Sequence, residues 1–303
     1  MTTQGHPSGG DTSSAQVLPV VAGVDGSAPS LEALRWAALE AQRRHVELEV
    51  VLAYHWRIPG AALAVSPELA EQVTDFATAV VDAAVAEART TAPHARVHGR
   101  AVEGEPAPVL LEAVDGAGLV VVGSRGAGGF ASLLTGSVSV RVATQAPCPV
   151  VIVRGRADDD IGPVVVGVDG SAPADAAAGL AFEEASRRGC ALVAVRAFHV
   201  PLPPYTMGPP PLLPDPAEIG AGLRSELVGQ LAKWRDKYSD VPVEYAVSQG
   251  SAAAALVDQS RRASLVVVGN RGHGAARGTL FGSVGLQLLH HADCPVLITR
   301  TRT

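Results

Sequence analysis

The architecture of this chain follows from residues Leu119–Val138, which read LVVVGSRGAGGFASLLTGSV. The apolar run Leu119–Val122 is typical of a strand buried on both faces of a sheet. A glycine loop, Gly123–Gly126, follows it, and Gly136-Ser137 begins a segment with helical periodicity. A strand, a glycine loop and a helix start in this order favour phosphate binding, because glycine lets the backbone come close and a helix start offers free N–H groups.

The same pattern returns at Leu265–Val284, which reads LVVVGNRGHGAARGTLFGSV. Both copies have the form Gly-x2-Gly-x9-Gly-Ser. A second repeat relates VVAGVDGSAP at Val20–Pro29 to VVVGVDGSAP at Val164–Pro173. Two separate motifs repeated in the same order indicate a tandem duplication of one domain.

A length of 303 residues fits two domains of about 150 residues each. With 47% hydrophobic and 18% charged residues, both halves can bury a core. We predict a disordered tail at 1–16, a first domain at 17–154, a linker at 155–162 and a second domain at 163–303. The halves differ most at Pro201–Pro216, a proline-rich excursion that is either a lid over a pocket or a surface insertion.

Apolar runs alternate with amphipathic segments, which predicts an α/β fold: a parallel sheet with helices on both faces of each domain. In the first half the predicted strands are Pro19–Val24, Val46–Tyr54, Val97–Val102, Leu119–Val122 and Val150–Val153. The predicted helices are Ser27–Arg44, Ser66–Thr91, Glu105–Val114 and Ser137–Thr144, with a loop at Trp56–Ala64. On the long helix, the predicted inward face carries Val73, Phe76, Val80, Ala84 and Ala88.

The net charge of −6 gives no basic footprint for nucleic acid or anionic lipid. No run of 18 apolar residues suggests a membrane span, and residues 1–16 lack the pattern of a signal peptide. The three cysteines, Cys148, Cys190 and Cys294, have no disulfide or metal spacing and are expected to be buried small hydrophobes. These features predict a cytoplasmic protein.

In an open parallel sheet, ligands bind beyond the carboxyl ends of the strands where the strand order reverses. If the first and fourth strands are neighbours there, Asp25 faces Gly123, and Asp169 faces Gly269. A carboxylate at this point can accept hydrogen bonds from ribose hydroxyls. The same residues also have a structural reading: Asp25 as a turn former, and Ser27 and Ser137 as plain helix caps.

Two common nucleotide motifs are missing. The first strand is not followed by Gly-x-Gly-x-x-Gly, which disfavours a dinucleotide-binding enzyme. Neither glycine loop contains a lysine, since Lys233 and Lys237 are the only lysines in the chain, which disfavours a P-loop. Arg125 and Arg271 occupy matching loop positions and either neutralise phosphate or are solvated.

With these motifs the chain resembles the universal stress protein family in its tandem-domain form. The resemblance rests on the two Gly-x2-Gly-x9-Gly-Ser motifs, on Asp25 and Asp169, and on the matching endings Ala146–Val150 and Ala292–Val296. It covers about residues 17–154 and 163–301. It implies two tandem doubly wound domains, each a five-stranded parallel sheet of order 3-2-1-4-5. It also implies that the final strands, Val150–Val153 and Val296–Thr299, pair in an intramolecular pseudo-dimer or in a homodimer.

The resemblance further implies that each domain binds ATP, with or without Mg²⁺. The implied binding residues of the first domain are Gly23, Asp25, Tyr54, Gly123, Ser124, Arg125, Gly126, Gly136, Ser137, Val138 and Ser139. Those of the second are Gly167, Asp169, Phe198, Gly269, Asn270, Arg271, Gly272, Gly282, Ser283, Val284 and Gly285. Gly285 replaces Ser139, and we expect the lost hydroxyl to weaken phosphate contacts in the second site. Alanine at Gly123 and Gly269 is expected to weaken ATP binding with the fold retained.

No residue in either loop is an obvious catalytic base, and a phosphoryl transferase needs one. His273 has Ala127 as its counterpart, and the matched pair His55 and His199 is expected to pack or gate rather than to catalyse. We therefore expect an ATP-dependent sensor or regulator of stress response or growth, with slow hydrolysis at most and an unidentified protein partner. The alternatives are a genuine ATPase or phosphotransferase, and a structural scaffold that binds no nucleotide.

Overall fold

A computed structural model describes residues 18–55, 66–126, 136–157, 161–200, 215–272 and 282–300. The predicted tail at 1–16, the loop at Trp56–Ala64 and His273 lie outside these ranges, as does most of the proline-rich excursion. Within the described ranges no helix is long and apolar enough to cross a membrane.

The first half contains nine elements in alternating order. They are β1 (Val20–Val24), α1 (Ala28–Arg44), β2 (Leu48–Tyr54), α2 (Pro67–Thr91), β3 (Val97–Glu103), α3 (Pro106–Ala113), β4 (Leu119–Gly123), α4 (Ser137–Gln145) and β5 (Val150–Val153). The second half repeats them as β6 (Val164–Gly167), α5 (Ala172–Arg188), β7 (Leu192–Phe198), α6 (Pro216–Lys237), β8 (Val243–Gln249), α7 (Ala252–Ser260), β9 (Leu265–Gly269), α8 (Ser283–His291) and β10 (Val296–Thr299). The predicted α/β alternation is confirmed.

The strands form one ten-stranded sheet of order β3-β2-β1-β4-β5-β10-β9-β6-β7-β8. Each half is parallel and has the expected order 3-2-1-4-5. The halves join where β5 and β10 run antiparallel, with Val296 opposite Ile152 and Ile298 opposite Val150. Because this junction is antiparallel, the carboxyl ends of the strands in the two halves point to opposite edges of the sheet.

Helix caps explain why the long helices begin where they do. The Ser27 hydroxyl caps α1 by accepting from the Ser30 N–H, and Pro29 occupies the first turn, where its missing donor costs nothing. Ser171 caps α5 in the same way through the Ala174 N–H. Both helices end in the left-handed region, at His45 with φ 55° and at Gly189 with φ 60°.

One predicted helix face is wrong in part. On α2 the buried residues are Ala77, Val81, Ala84, Val85 and Ala88, whereas Phe76 is 72% exposed. The sequence-based prediction placed the large side chain of Phe76 on the buried face of α2. The interface instead selects small residues, which let α2 lie close to the sheet: the Val81 side chain is so near Gly99 of β3 that a methyl group there would approach it to 2.5 Å.

The two faces of the sheet carry separate layers of core residues. Val20, Ala22 and Val24 of β1 face the layer that contains α1, α2, α5 and α6. Val21 faces the opposite layer, which contains residues of α3, α4, α7 and α8. The first of these layers runs continuously across both halves, so α1 of the first half packs beside α5 of the second.

Where α1 meets α5, four charged side chains form a buried ring that we call the ionic ring: Glu40, Arg44, Glu184 and Arg188. Arg44 donates to Glu40 at 2.6 Å and also to Glu184. Arg188 donates to Glu40 at 2.7 Å and also to Glu184. Both carboxylates are 0% exposed. Each arginine therefore bridges one carboxylate of its own domain and one of the other domain.

The two carboxylates of the ionic ring titrate as a pair because they lie side by side. Burial by itself would raise the pKa of Glu40, but the charges of Arg188 and Arg44 outweigh it and lower the pKa to about 2. Burial and the neighbouring Glu40 charge raise the pKa of Glu184. The arginines are thus what allows carboxylates to be buried between the domains.

We predict that Arg188→Ala lowers the free energy of unfolding by about 3–5 kcal/mol, because it leaves two buried carboxylates short of a partner. Urea denaturation measures this loss. A matched control is Arg35→Ala, which breaks the Arg35–Glu87 pair, whose side chains are both 39% exposed, and which should cost less than about 1 kcal/mol. Equal costs for the two variants would contradict an energetic role of the ionic ring.

The cysteines are unpaired, with Cys148 and Cys294 buried and Cys190 half-buried. Burial raises the pKa of Cys148 to about 11 and that of Cys294 to about 12. It also raises the pKa of Cys190. All three therefore stay protonated near neutral pH, and the prediction of buried small hydrophobes is confirmed for Cys148 and Cys294.

We predict that iodoacetamide at about pH 8 modifies Cys190 first and leaves Cys148 and Cys294 unmodified while the protein is folded, because only an accessible thiolate reacts. Peptide mass spectrometry after timed alkylation identifies the modified positions. Alkylation in denaturant, which should reach all three thiols, is the control. Early modification of Cys294 in the folded protein would contradict its burial.

Candidate functional site

The predicted site lies where the strand order reverses. In the first half β1 and β4 are neighbours, with Gly23 opposite Val122, and both strands end at the same edge. In the second half β6 and β9 are paired in the same way, with Val166 opposite Val267. The sheet order thus brings Asp25 near Gly123–Gly126, and Asp169 near Gly269–Gly272, at a position where open α/β sheets bind ligands.

Asp25 organises the turn between β1 and α1. Its Oδ1 accepts from the Ser27 N–H at 3.0 Å and from the Ser27 hydroxyl at 2.6 Å. Asp169 Oδ1 accepts from the corresponding groups of Ser171 at 2.9 and 2.6 Å. Asp25 is thus confirmed as a turn former and Ser27 as a helix cap, whereas Ser137 is not the cap of α4, whose N-cap residue is Gly136.

The second carboxylate oxygen of each aspartate lies against the glycine loop. A methyl group on Gly126 would come within 2.5 Å of Asp25 Oδ2, and one on Gly272 would press equally closely on Asp169 Oδ2. Glycine is needed at both positions for the carboxylate to approach the loop backbone. The carboxylate of each aspartate is therefore in direct contact with the backbone of its glycine loop.

The first loop glycines pack each strand closely against a helix. A methyl group on Gly123 would lie 2.7 Å from the Pro29 carbonyl oxygen, in the first turn of α1. One on Gly269 would lie 2.9 Å from Pro173, in the first turn of α5. Close packing of strand against helix therefore depends on these glycines even without a ligand, so alanine there is expected to cost stability. That such a variant weakens ATP binding with the fold retained stays a prediction.

The two ends of each long loop are held together by a backbone hydrogen bond. The Gly136 N–H donates to the Ser124 carbonyl at 2.8 Å, and the Gly282 N–H donates to the Asn270 carbonyl at 3.0 Å. Gly136 and Gly282 are the N-cap residues of α4 and α8, and neither helix start has a capping hydrogen bond from a side chain of its N-cap. α4 therefore begins next to Arg125, and α8 begins next to Arg271. The first-turn N–H groups of each helix and the exposed Ser137 or Ser283 lie at these starts.

Ser139 has a structural contact that the sequence did not predict, and its contact with phosphate stays a prediction. Its side chain is buried, and its hydroxyl donates to the Gly123 carbonyl at 2.6 Å. Its one proton is therefore used to tie α4 to the end of β4. Gly285, its counterpart, is also buried but has no hydroxyl to form this bond. The two domains thus differ in how α4 and α8 are attached to the sheet.

In the second half these residues line a cavity of about 280 Å³. Nine of the predicted site residues contribute to it: Gly167, Asp169, Gly269, Arg271, Gly272, Gly282, Ser283, Val284 and Gly285. Sequence reasoning missed seven others: Val168, Ala174, Val195, Ala197, Ala252, Leu256 and Val268. Most of these are small or aliphatic, and such residues give no motif signal.

Two predicted residues lie outside this lining. Phe198 is replaced by its neighbour Ala197, because successive side chains of β7 point to opposite faces. Asn270 is 7% exposed, and its side-chain oxygen is buried without a hydrogen-bond partner. The alternation of side chains along β7 would have predicted Ala197 instead of Phe198, if the sequence had shown which side chains of β7 face the cavity.

The ends of β2 and β7 are anchored in the same way. The Tyr54 carbonyl accepts from the Gly104 N–H, and the Phe198 carbonyl from the Gly250 N–H, both at 2.8 Å. The Tyr54 hydroxyl lies 3.1 Å from the Thr74 hydroxyl of α2. Tyr54 is therefore turned toward α2.

An arginine of each domain reaches across to the other domain near a glycine loop. Arg154 donates to the Leu288 carbonyl of α8 at 2.9 Å, and Arg300 to the Ala143 carbonyl of α4 at 2.8 Å. Burial lowers the pKa of Arg154; the Asp293 carboxylate opposes this, and the charge of Arg125 adds to it. Burial and the charge of Arg271 lower the pKa of Arg300. Positive charge is thus concentrated beside both loops, which favours a bound anion.

The universal stress protein family matches residues 18–154 and 161–300. The chain belongs to this family. A universal stress protein of Mycobacterium tuberculosis is 36% identical over 298 residues, which cover 93% of this chain and 96% of the relative. The crystal structure of a universal stress protein from Archaeoglobus fulgidus covers 95% of this chain and all of its own, with a TM-score of 0.70 and 19% identity. The tandem universal stress protein fold is thereby confirmed.

A universal stress protein solved in complex with cAMP is 29% identical and covers 45% of this chain and 97% of its own, with a TM-score of 0.36.

For this universal stress protein we predict that Gly123→Ala lowers the free energy of unfolding by about 1–3 kcal/mol, because the added methyl group overpacks the contact with Pro29. Gly136→Ala is the matched control: its methyl group would have only ordinary contacts at 3.5–3.6 Å. As an N-cap change it should cost less than about 1 kcal/mol. Urea denaturation compares the two variants, and equal stability would contradict the packing role of Gly123.

Proposed function

We propose that this universal stress protein binds ATP at the carboxyl strand ends of both domains and acts as a nucleotide-dependent regulator. The observation that carries the proposal is the second-domain cavity, where Asp169, Gly272 and the start of α8 meet. A carboxylate for ribose hydroxyls, a close backbone approach and free N–H groups at a helix start are the three features that a nucleotide requires.

The lining suits the parts of ATP separately. Val195, Ala197 and Leu256 offer apolar walls for a base. Arg271 and the start of α8 at Ser283 offer positive charge and N–H donors for phosphates, with Mg²⁺ entering bound to those phosphates. The volume of about 280 Å³ lies just below the usual range for ligand pockets, about 300–1,000 Å³. Bound ATP would bring negative phosphate charge into the site, and its binding or release would be the signal that the protein transmits.

The site supports holding ATP more than hydrolysing it. Among the described residues that line the cavity, Asp169 is the only carboxylate, and its Oδ1 already accepts two hydrogen bonds from Ser171. A carboxylate held in this way is a weak candidate for a base that activates water. We therefore propose slow hydrolysis at most, a cytoplasmic location, and a protein partner in stress response or growth control that recognises the nucleotide state. Pairing of whole chains into a homodimer stays a prediction.

Mass spectrometry of the protein, purified without added nucleotide and then denatured, tests the proposal together with ATP titration calorimetry. We expect co-purified adenine nucleotide or micromolar binding. If no nucleotide co-purifies and calorimetry shows no binding, the proposal is wrong and the scaffold alternative is favoured. Rapid release of phosphate from bound ATP would instead favour the ATPase alternative.

We predict that Asp25→Ala combined with Asp169→Ala removes the preference for ATP over 2′,3′-dideoxy-ATP, because these carboxylates accept from the ribose hydroxyls. The unmodified protein should prefer ATP by about tenfold, the effect of one charge-assisted hydrogen bond. The ratio of the two affinities is insensitive to a general loss of stability. If the double variant keeps the same preference, the carboxylates do not contact ribose.

A further inference from the structure

A second cavity, of about 750 Å³, lies at the opposite edge of the first domain from the glycine loop. It opens at the amino ends of β1, β2 and β3, beside the end of α1. Its lining is Pro19, Ala41, Gln42, Arg43, His45, Val46, Glu47, His94, Ala95 and Arg96. We call it the basic cleft, because Arg43, His45, His94 and Arg96 are set against a single carboxylate, Glu47.

The positive charge of the basic cleft is weakly compensated at Arg96. The Arg96–Glu47 pair is 3.8 Å apart, and its side chains are 86% and 53% exposed, so the attraction contributes little. The Arg43 guanidinium is itself paired with the buried Glu40 carboxylate at 3.5 Å, and a bound anion would be an additional partner for it. The last carbonyls of α1 are capped by backbone groups, since the His45 N–H donates to Gln42 and the Val46 N–H to Ala41. The basic side chains are therefore not required as helix caps.

The second domain keeps an arginine, Arg187, at the position of Arg43 but lacks the other charged residues of the cleft. Its residues there are Gly189 for His45, Ala191 for Glu47, Asp240 for His94 and Pro242 for Arg96. The Ser186 hydroxyl donates to Asp240 at 2.9 Å in the place where the first domain has Gln42 and His94. Since both domains have the same fold, the fold itself does not require His45, His94 or Arg96.

His45 adds an independent sign. Among the described residues it is the only one other than glycine with a positive φ, 55°. The matched position in the second domain holds Gly189 at φ 60°, where the same conformation has no steric cost. A side chain kept in the left-handed region at the rim of a cavity is a recurring feature of ligand sites.

We propose that the basic cleft is a second ligand site of the first domain, for a small anion with at least two negatively charged groups, either phosphates or carboxylates. Arg43 at the end of α1 and Arg96 at the entry to β3 stand on different walls, so one anion with two charged groups would bridge them. The imidazoles of His45 and His94 would donate further hydrogen bonds. The site lies away from the ATP site and does not depend on it.

The electrostatics of Arg43 agree with this assignment. Burial and the nearby charge of Arg188 lower the pKa of Arg43, and the opposing pull of Glu40 does not restore it. A bound anion would oppose this lowering of the pKa of Arg43.

Titration with pyrophosphate and with citrate, followed by the histidine ring signals in NMR and by calorimetry, tests the proposal. We expect at least one of the two anions to shift the His45 and His94 signals in saturable fashion while the His98 signal stays fixed. Stronger binding of pyrophosphate indicates a phosphorylated ligand, and stronger binding of citrate a carboxylate ligand. No saturable shift with either anion would overturn the proposal, whether or not ATP binds at the glycine loops.

The double variant His94→Asp with Arg96→Ser should weaken this binding by about tenfold or more, since it removes a bridging charge and adds a repulsive one. His98→Asp with Arg235→Ser changes the net charge equally at exposed positions outside the cleft and should leave the affinity unchanged. His45→Gly should raise the melting temperature and lower the affinity for the anion. Equal weakening by the cleft variant and its control would show screening by overall charge and would overturn the proposal.

Discussion

The structure depends on one constraint, the burial of charge where the two domains meet. The antiparallel β5–β10 junction sets α1 beside α5, and this packing places Glu40 and Glu184 in the interior. Buried carboxylates are tolerated only when paired and hydrogen-bonded. Arg44 and Arg188 meet this need, each for both domains at once. The two halves of this universal stress protein are therefore not independent modules on a linker.

The same helices connect the domain interface to the candidate sites. α1 begins at the Asp25–Ser27 turn, packs its first turn against Gly123, and ends at Arg44 in the ionic ring. α5 repeats this path from Asp169 to Arg188. Arg154 and Arg300 add crossed contacts from each domain to the last turn of α8 or α4 in the other. The helices that border each candidate site thus also make contacts with the other domain.

Duplication produced two copies of one fold, and their differences occur where the fold tolerates them. Ser139 ties α4 to β4, but Gly285 cannot do the same for α8. His45 has a positive φ, and its counterpart in the second domain is Gly189, which adopts that conformation without strain. The counterpart of His94 is Asp240. These substitutions leave the strands and their register unchanged, because they lie at helix starts, helix ends and the edges of the sheet. The common framework is thus compatible with the different ligands that we propose for the two domains.

The sequence by itself determined the duplication, the alternation of strands and helices, and the family, because these are properties of local periodicity and motif spacing. It also located the Asp25 and Gly123–Gly126 segments that the sheet brings together. Only the tertiary structure decided which face of α2 is buried, that Gly123 is needed for helix packing, that Ser139 bonds the strand, and that Ala197 lines the cavity instead of Phe198. The ionic ring and the basic cleft were equally invisible, since they join residues that are far apart in the chain or on separate elements. Contacts of this kind depend on distances across the fold, and a linear pattern does not contain them.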